Sequence, residues 1–100
     1  MSDQVTFSQA VAEHLQTLQQ YVPVVDRVHG GSHPEFHTVK STFDTIAEKI
    51  KSAGASKPHL DDEFAKLSET TTDYTVPDDV CETFEAVYRM LAQLDQAYNA

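Results

Sequence analysis

The sequence has no tryptophan, one cysteine, three glycines and four prolines in 100 residues, and seven lysines and arginines against sixteen aspartates and glutamates. A single Cys81 cannot close an internal disulfide, so a disulfide-stapled scaffold is excluded and a reducing compartment is expected. The shortage of basic side chains leaves a formal charge of −9, which repels phosphate backbones and anionic lipid surfaces. Neither nucleic acid nor a membrane is therefore an expected partner. No apolar run approaches the roughly 18 residues that a membrane span needs. Met1-Ser2-Asp3-Gln4 also lacks the basic and apolar regions of a signal peptide, so a cytoplasmic location is expected. The sequence carries no G-x-S-x-G, no P-loop, no Rossmann glycine pattern and no cysteine pair for zinc.

What is present is a chain 40% hydrophobic, long enough to bury a core without disulfides or a structural metal. Its apolar residues recur at spacings of three and four, the period of a helix with one buried face. Val11, Leu15, Leu18, Val22 and Val25 form the first stripe, with Ser8 as its start. Pro23, which removes a backbone donor, is expected to split this helix near residues 19–21. Gly30 and Gly31 are expected to end it in left-handed geometry just after His29. Ser32 and Glu35 have capping-box spacing with Pro34 in the first turn, and Phe36, Val39, Phe43, Ile46, Ile50 and Ala53 continue the second stripe.

A third helix from Pro58 carries Leu60, Phe64 and Leu67, and weakens at the β-branched run Thr70-Thr71-Thr72. Pro77 fits the first helical position of a fourth, with Val80, Phe84, Val87, Leu91, Leu94 and Tyr98 on one face. Helices over about 8–29, 33–53, 58–72 and 77–98, joined by short connections, imply an all-α, antiparallel up-down four-helix bundle in one domain.

The residues able to carry chemistry are mainly histidines. His29, His33 and His37 fall within nine positions, and His33 and His37 would share a helix face if the second helix began at His33. His59 and Glu63 have the i, i+4 spacing by which helical bundles aim two metal ligands inward. These five are the candidate metal ligands. The competing reading makes His33 a helix cap, His29 a buried hydrogen-bonded imidazole and His37 a solvated residue. By the same reading His59 and Glu63 sit at the margin of the third stripe, and His14 flanks the first. Cys81 lies where a helix dipole would lower its pKa, but Asp78, Asp79 and Glu82 oppose that.

Two segments carry a resemblance. Tyr21 to Gly30 with His33-Pro34-Glu35-Phe36, and Thr72-Asp73-Tyr74-Thr75-Val76-Pro77 through Cys81, Thr83, Phe84 and Tyr88, resemble the RIC family of iron-sulfur cluster repair proteins. Those are hemerythrin-like di-iron four-helix bundles, and the similarity spans roughly residues 20–95. The resemblance implies a ligand early in the first helix, where this chain has Phe7-Ser8-Gln9-Ala10. It implies a His-x-x-x-Glu pair at the end of the second, where this chain has Ala53 and Lys57. The third-helix histidine falls on Lys57 by ungapped counting and on His59 with a two-residue gap. A second His-x-x-x-Glu pair belongs beyond the fourth helix, past Asp95 to Ala100.

The resemblance therefore implies a RIC-like bundle that has lost the di-iron centre, binds no cofactor and acts as a non-catalytic binding or regulatory module, through a protein partner or self-association. The alternative expectation is an iron-sulfur cluster repair or metal-binding protein that holds iron or another transition metal in an altered His/carboxylate site.

Overall fold

A computed structural model of the chain describes residues 6–54 and 56–100; Met1 to Gln4, read above for a targeting signal, lie outside them. The described residues form four helices and no strand: α1 Phe7–His29, α2 Glu35–Ala53, α3 Asp61–Thr70 and α4 Glu82–Tyr98. α1 has 23 residues, so at 1.5 Å per residue it runs about 35 Å, nearly the full 40 Å length of the molecule. It lies against α4 and α2, and α2 lies against α3, neighbours that fit a four-helix bundle. No helix among the described residues is long and apolar enough to cross a membrane.

The stripes read from the sequence are the core. Leu18, Val22 and Val25 of α1, Phe36, Val39, Phe43 and Ile46 of α2, Phe64 and Leu67 of α3, and Phe84, Val87, Leu91, Leu94 and Tyr98 of α4 are all buried. Val11, Leu15 and Ile50 pack against them half-buried. Among the described residues the buried polar side chains are Thr42 and Thr71, so packing of apolar surface is the main source of cohesion.

The helix ends differ from expectation. α1 is capped by Thr6, not Ser8: the Thr6 hydroxyl accepts from Gln9 N–H at 3.1 Å, and Gln9 Oε1 accepts from Thr6 N–H at 3.0 Å, a reciprocal capping box. α1 also runs unbroken through Pro23, which is exposed along with Gln19, so the missing hydrogen bond falls on the solvent side. Ser32 does not cap α2. The corner is closed by backbone bonds from Ser32 N–H and His33 N–H to His29 O at 3.1 and 2.8 Å, and α2 begins only at Glu35. Gly30 is right-handed, with φ −59°, and is needed for space: a Cβ there would come within 2.6 Å of His37 Cε1.

α3 starts at Asp61 because residues 57–60 are held across the end of α4. Leu60 N–H donates to the Tyr98 hydroxyl at 2.8 Å, and Lys57 Nζ donates to Tyr98 O at 2.8 Å. It stops at Thr70, where Thr71 donates its hydroxyl to Leu67 O at 2.7 Å and accepts Tyr74 N–H at 2.8 Å. Thr72, Asp73 and Tyr74 then take φ of 53°, 55° and 63°, a left-handed run without glycine. α4 does not begin at Pro77. Residues 71–81 stay irregular, with Val76 and Val80 packed on the core, and Cys81 is the extended residue preceding the helix.

Candidate functional site at the α1–α2 corner

At one end of the molecule the last turn of α1, the 30–34 turn and the segment before α4 converge on the Phe84 ring. The His29 and His33 rings meet it edge-on at centroid distances of 5.4 and 5.6 Å, while Phe36 and Tyr88 lie 5.1 and 4.8 Å away. The three corner histidines point to three different partners. His29 Nε2 lies 3.2 Å from Cys81 Sγ. His33 Nδ1 is 3.1 Å from Glu35 Oε2, and its Nε2 is 3.0 Å from Asp79 Oδ1. His37 Nδ1 approaches Asp26 Oδ1 at 2.6 Å, off the hydrogen-bonding direction, for that oxygen accepts no hydrogen bond.

His33 has the most defined chemistry. Carboxylate oxygens accept and do not donate, so an imidazole bonded to one at each nitrogen must donate from both and is the cation. Burial of the ring opposes its charge, but the contacts with Glu35 and Asp79 outweigh this and raise the pKa above the ordinary histidine value. The imidazolium thus joins the start of α2 to the segment leading into α4. The cap expected at His33 is replaced by this two-carboxylate bridge, His29 is half-buried against the thiol, and His37 is exposed yet in contact with the Asp26 carboxylate.

Cys81 and His29 place a thiol and an imidazole nitrogen within exchange distance, a pairing that no local sequence pattern announced. No described group orients the second nitrogen of His29, which nucleophilic catalysis through such a pair ordinarily requires. Among the described residues no three His, Cys, Asp or Glu side chains gather closely enough to hold a metal ion. His59 is exposed in the connection before α3, so it does not share a helix face with Glu63. Glu63 instead accepts from Lys49 Nζ at 2.8 Å, which holds its carboxyl below the usual carboxylate range against the opposing effect of burial. His14 is half-buried on α1.

No family model matches the chain, and neither does any curated protein or solved structure.

The opposite end of the molecule gathers the start of α1, the connection into α3 and the end of α4. Phe7 meets Tyr98 and Phe64 edge-on at 5.4 and 6.3 Å, and Phe64 lies 5.2 Å from Tyr98. The Lys57 ammonium sits 4.5 Å above the centre of the Tyr98 ring while it bonds the Tyr98 carbonyl. The resemblance implies metal ligands in the neighbourhood of Phe7 to Ala10 and at Lys57. Here Phe7 and Lys57 form part of an aromatic plug tied by a cation.

Proposed function

We propose that this chain is a hemerythrin-like, RIC-like helical bundle without the di-iron centre, acting as a non-catalytic binding or regulatory module. The observation that carries the reading is the plug of Phe7, Phe64, Tyr98 and Lys57. A di-iron site in a bundle needs several carboxylates and imidazoles projecting inward from facing helices. The residues at this end do not fit that need, because two are aromatic hydrocarbons, one is a phenol already bonded to Leu60 N–H, and one is an ammonium that repels a metal cation. The apolar core between the two ends supports the same reading.

The test is metal content of protein purified without affinity tag or chelator. Iron well below one atom per chain is expected, and about two atoms per chain, as in the di-iron bundles, would end the reading.

One observation favours a second reading, a metal-binding or iron-sulfur cluster repair protein with an altered site: the nitrogen and sulfur donors of His29 and Cys81 lie 3.2 Å apart. Under that reading His29→Ala with Cys81→Ser abolishes metal uptake, and unchanged uptake rejects it.

A further inference from the structure

The Phe84 ring is packed among His29, His33, Phe36 and Tyr88, yet its backbone N–H lacks a partner. Phe84 is fully buried, no side chain caps α4, and no hydrogen bond runs from Phe84 N–H to a described residue. Phe84 is the third residue of α4, so its N–H is one that an oxygen on the side chain of Cys81 would satisfy. Cys81 already has the extended backbone of a cap residue, with φ −82° and ψ 171°, but its thiol offers no oxygen. A buried donor without an acceptor is costly, and the start of α4 is one atom short of a complete cap. The same sulfur is exposed and lies 3.2 Å from His29 Nε2.

We propose that Cys81 is a site of oxidation by a neutral hydroperoxide, and that the oxygen added to its sulfur caps α4 by accepting Phe84 N–H. The inference goes beyond the proposed module by giving it a chemical input, and it stands apart from the question of iron.

With hydrogen peroxide, the Cys81 S–H proton passes to His29 Nε2 as the sulfur attacks a peroxide oxygen. The S–O bond forms and the O–O bond breaks. Hydroxide leaves and takes the proton back from His29 as water, so the imidazole is neutral again. The sulfur loses two electrons, the peroxide gains them, and the product is a sulfenic acid. A single modification needs no turnover, so the unoriented second nitrogen of His29 is no obstacle. Charge selects the oxidant. Asp78 and Glu82 stand exposed beside Cys81 and repel anionic disulfides, whereas an uncharged peroxide passes; Asp79 is bonded to the His33 imidazolium, which offsets its charge. The chain has no second cysteine to close an internal disulfide, so the sulfenic acid persists until an outside thiol reduces it. Its oxygen stands two bonds from Cβ, as do the side-chain oxygens of Asp and Asn at helix caps.

The experiment treats the full chain with hydrogen peroxide in the presence of a chelator, both folded and in denaturing urea. A dione reagent traps the sulfenic acid, and peptide mapping separates Cys81 from Met1 and Met90. The folded chain should react at least about tenfold faster than the unfolded one, and folded His29→Gln should lose that advantage. After oxidation the Phe84 amide proton should exchange more slowly relative to amides in the middle of α4, and Tm should rise by about 4–8 °C. Cys81→Asn should raise Tm similarly without peroxide, and Cys81→Ala should not respond to peroxide. If His29→Gln fails to give a helical circular dichroism spectrum, the comparison of the parent folded and in urea still decides. A folded chain no faster than the unfolded one, a folded His29→Gln as fast as the parent, or an oxidised chain with unchanged Phe84 exchange and no gain in Tm overturns the inference.

Discussion

Replacing Tyr98 by Phe removes one oxygen atom and leaves the ring. Tyr98 is 7% exposed, and its hydroxyl accepts the Leu60 N–H at 2.8 Å in a buried position. The Phe ring can keep its contacts with Phe7 and Phe64 and its place beneath the Lys57 ammonium. What is lost is the acceptor for a backbone donor that water cannot reach, at a cost of about 1–3 kcal/mol. Domains of this size lose roughly 4–8 °C of melting temperature per kcal/mol, so a fall of roughly 4–24 °C is expected. Urea titration should show a lower midpoint with an unchanged slope, because the surface exposed on unfolding is the same. Exchange of the Leu60 amide proton should accelerate relative to amides in the middle of α4. Tyr98→Ala, which also empties the ring's site, should cost about 3–5 kcal/mol. If Tyr98→Phe left the unfolding free energy within about 0.5 kcal/mol of the parent, the size of a neutral surface change, the hydroxyl would not be holding the start of α3.

Thr71→Val leaves Tyr74 N–H without its side-chain acceptor and should destabilise by about 1–3 kcal/mol in denaturant unfolding. Thr72→Gly should raise stability by about 1 kcal/mol, since a β-branched residue at φ 53° is strained and glycine is not; a lower denaturation midpoint would contradict the left-handed assignment. His33 has a raised pKa in the folded chain, so its contribution is complete below the unfolded value of about 6.5 and is lost as pH rises through the folded value. The stability difference between the parent and His33→Gln should therefore shrink from pH 6 to pH 9, and a difference that grows would reverse the proton assignment. Burial pushes the Tyr88 phenol up to about 12, helped by the Glu35 charge. Stability should accordingly fall from about pH 10, where unfolded tyrosine ionises, to about pH 12, with Tyr88 phenolate absorbance developing late.

The helical architecture was legible because the three-four spacing is a local property, and every stripe named from the sequence became a packed face. The helix ends were not, because distant residues set them. Proline at a first helical turn is a sound local rule, yet Pro77 lies outside α4, whose start is fixed near Cys81 and its contact with His29. Pro58 likewise lies outside α3, since Lys57 and Leu60 are bound to Tyr98. Thr6 and Gln9 have capping-box spacing in the sequence itself, and they rather than Ser8 start α1. At the corner the three histidines were visible as a cluster. Their partners Cys81 and Asp79 lie 52 and 46 residues away from His29 and His33, and no short-range pattern connects them.

The two sequence segments that carry the family resemblance meet in space at that corner. His29 and His33 come from one, Asp79 and Cys81 belong to the stretch of the other, and Phe84 lies under both rings. The residues that depart from the family pattern gather instead at the far end, around Phe7, Lys57 and Tyr98. There the ammonium of Lys57 bonds the Tyr98 carbonyl at the end of α4, where the helix dipole favours a positive charge, and the Phe7, Phe64 and Tyr98 rings pack together. The corner is held by the His33 bridge to Glu35 and Asp79 and by the rings around Phe84. In the proposed reading, the corner of His29, His33 and Phe84 and the plug of Phe7, Lys57 and Tyr98 hold the two ends of the bundle without a metal.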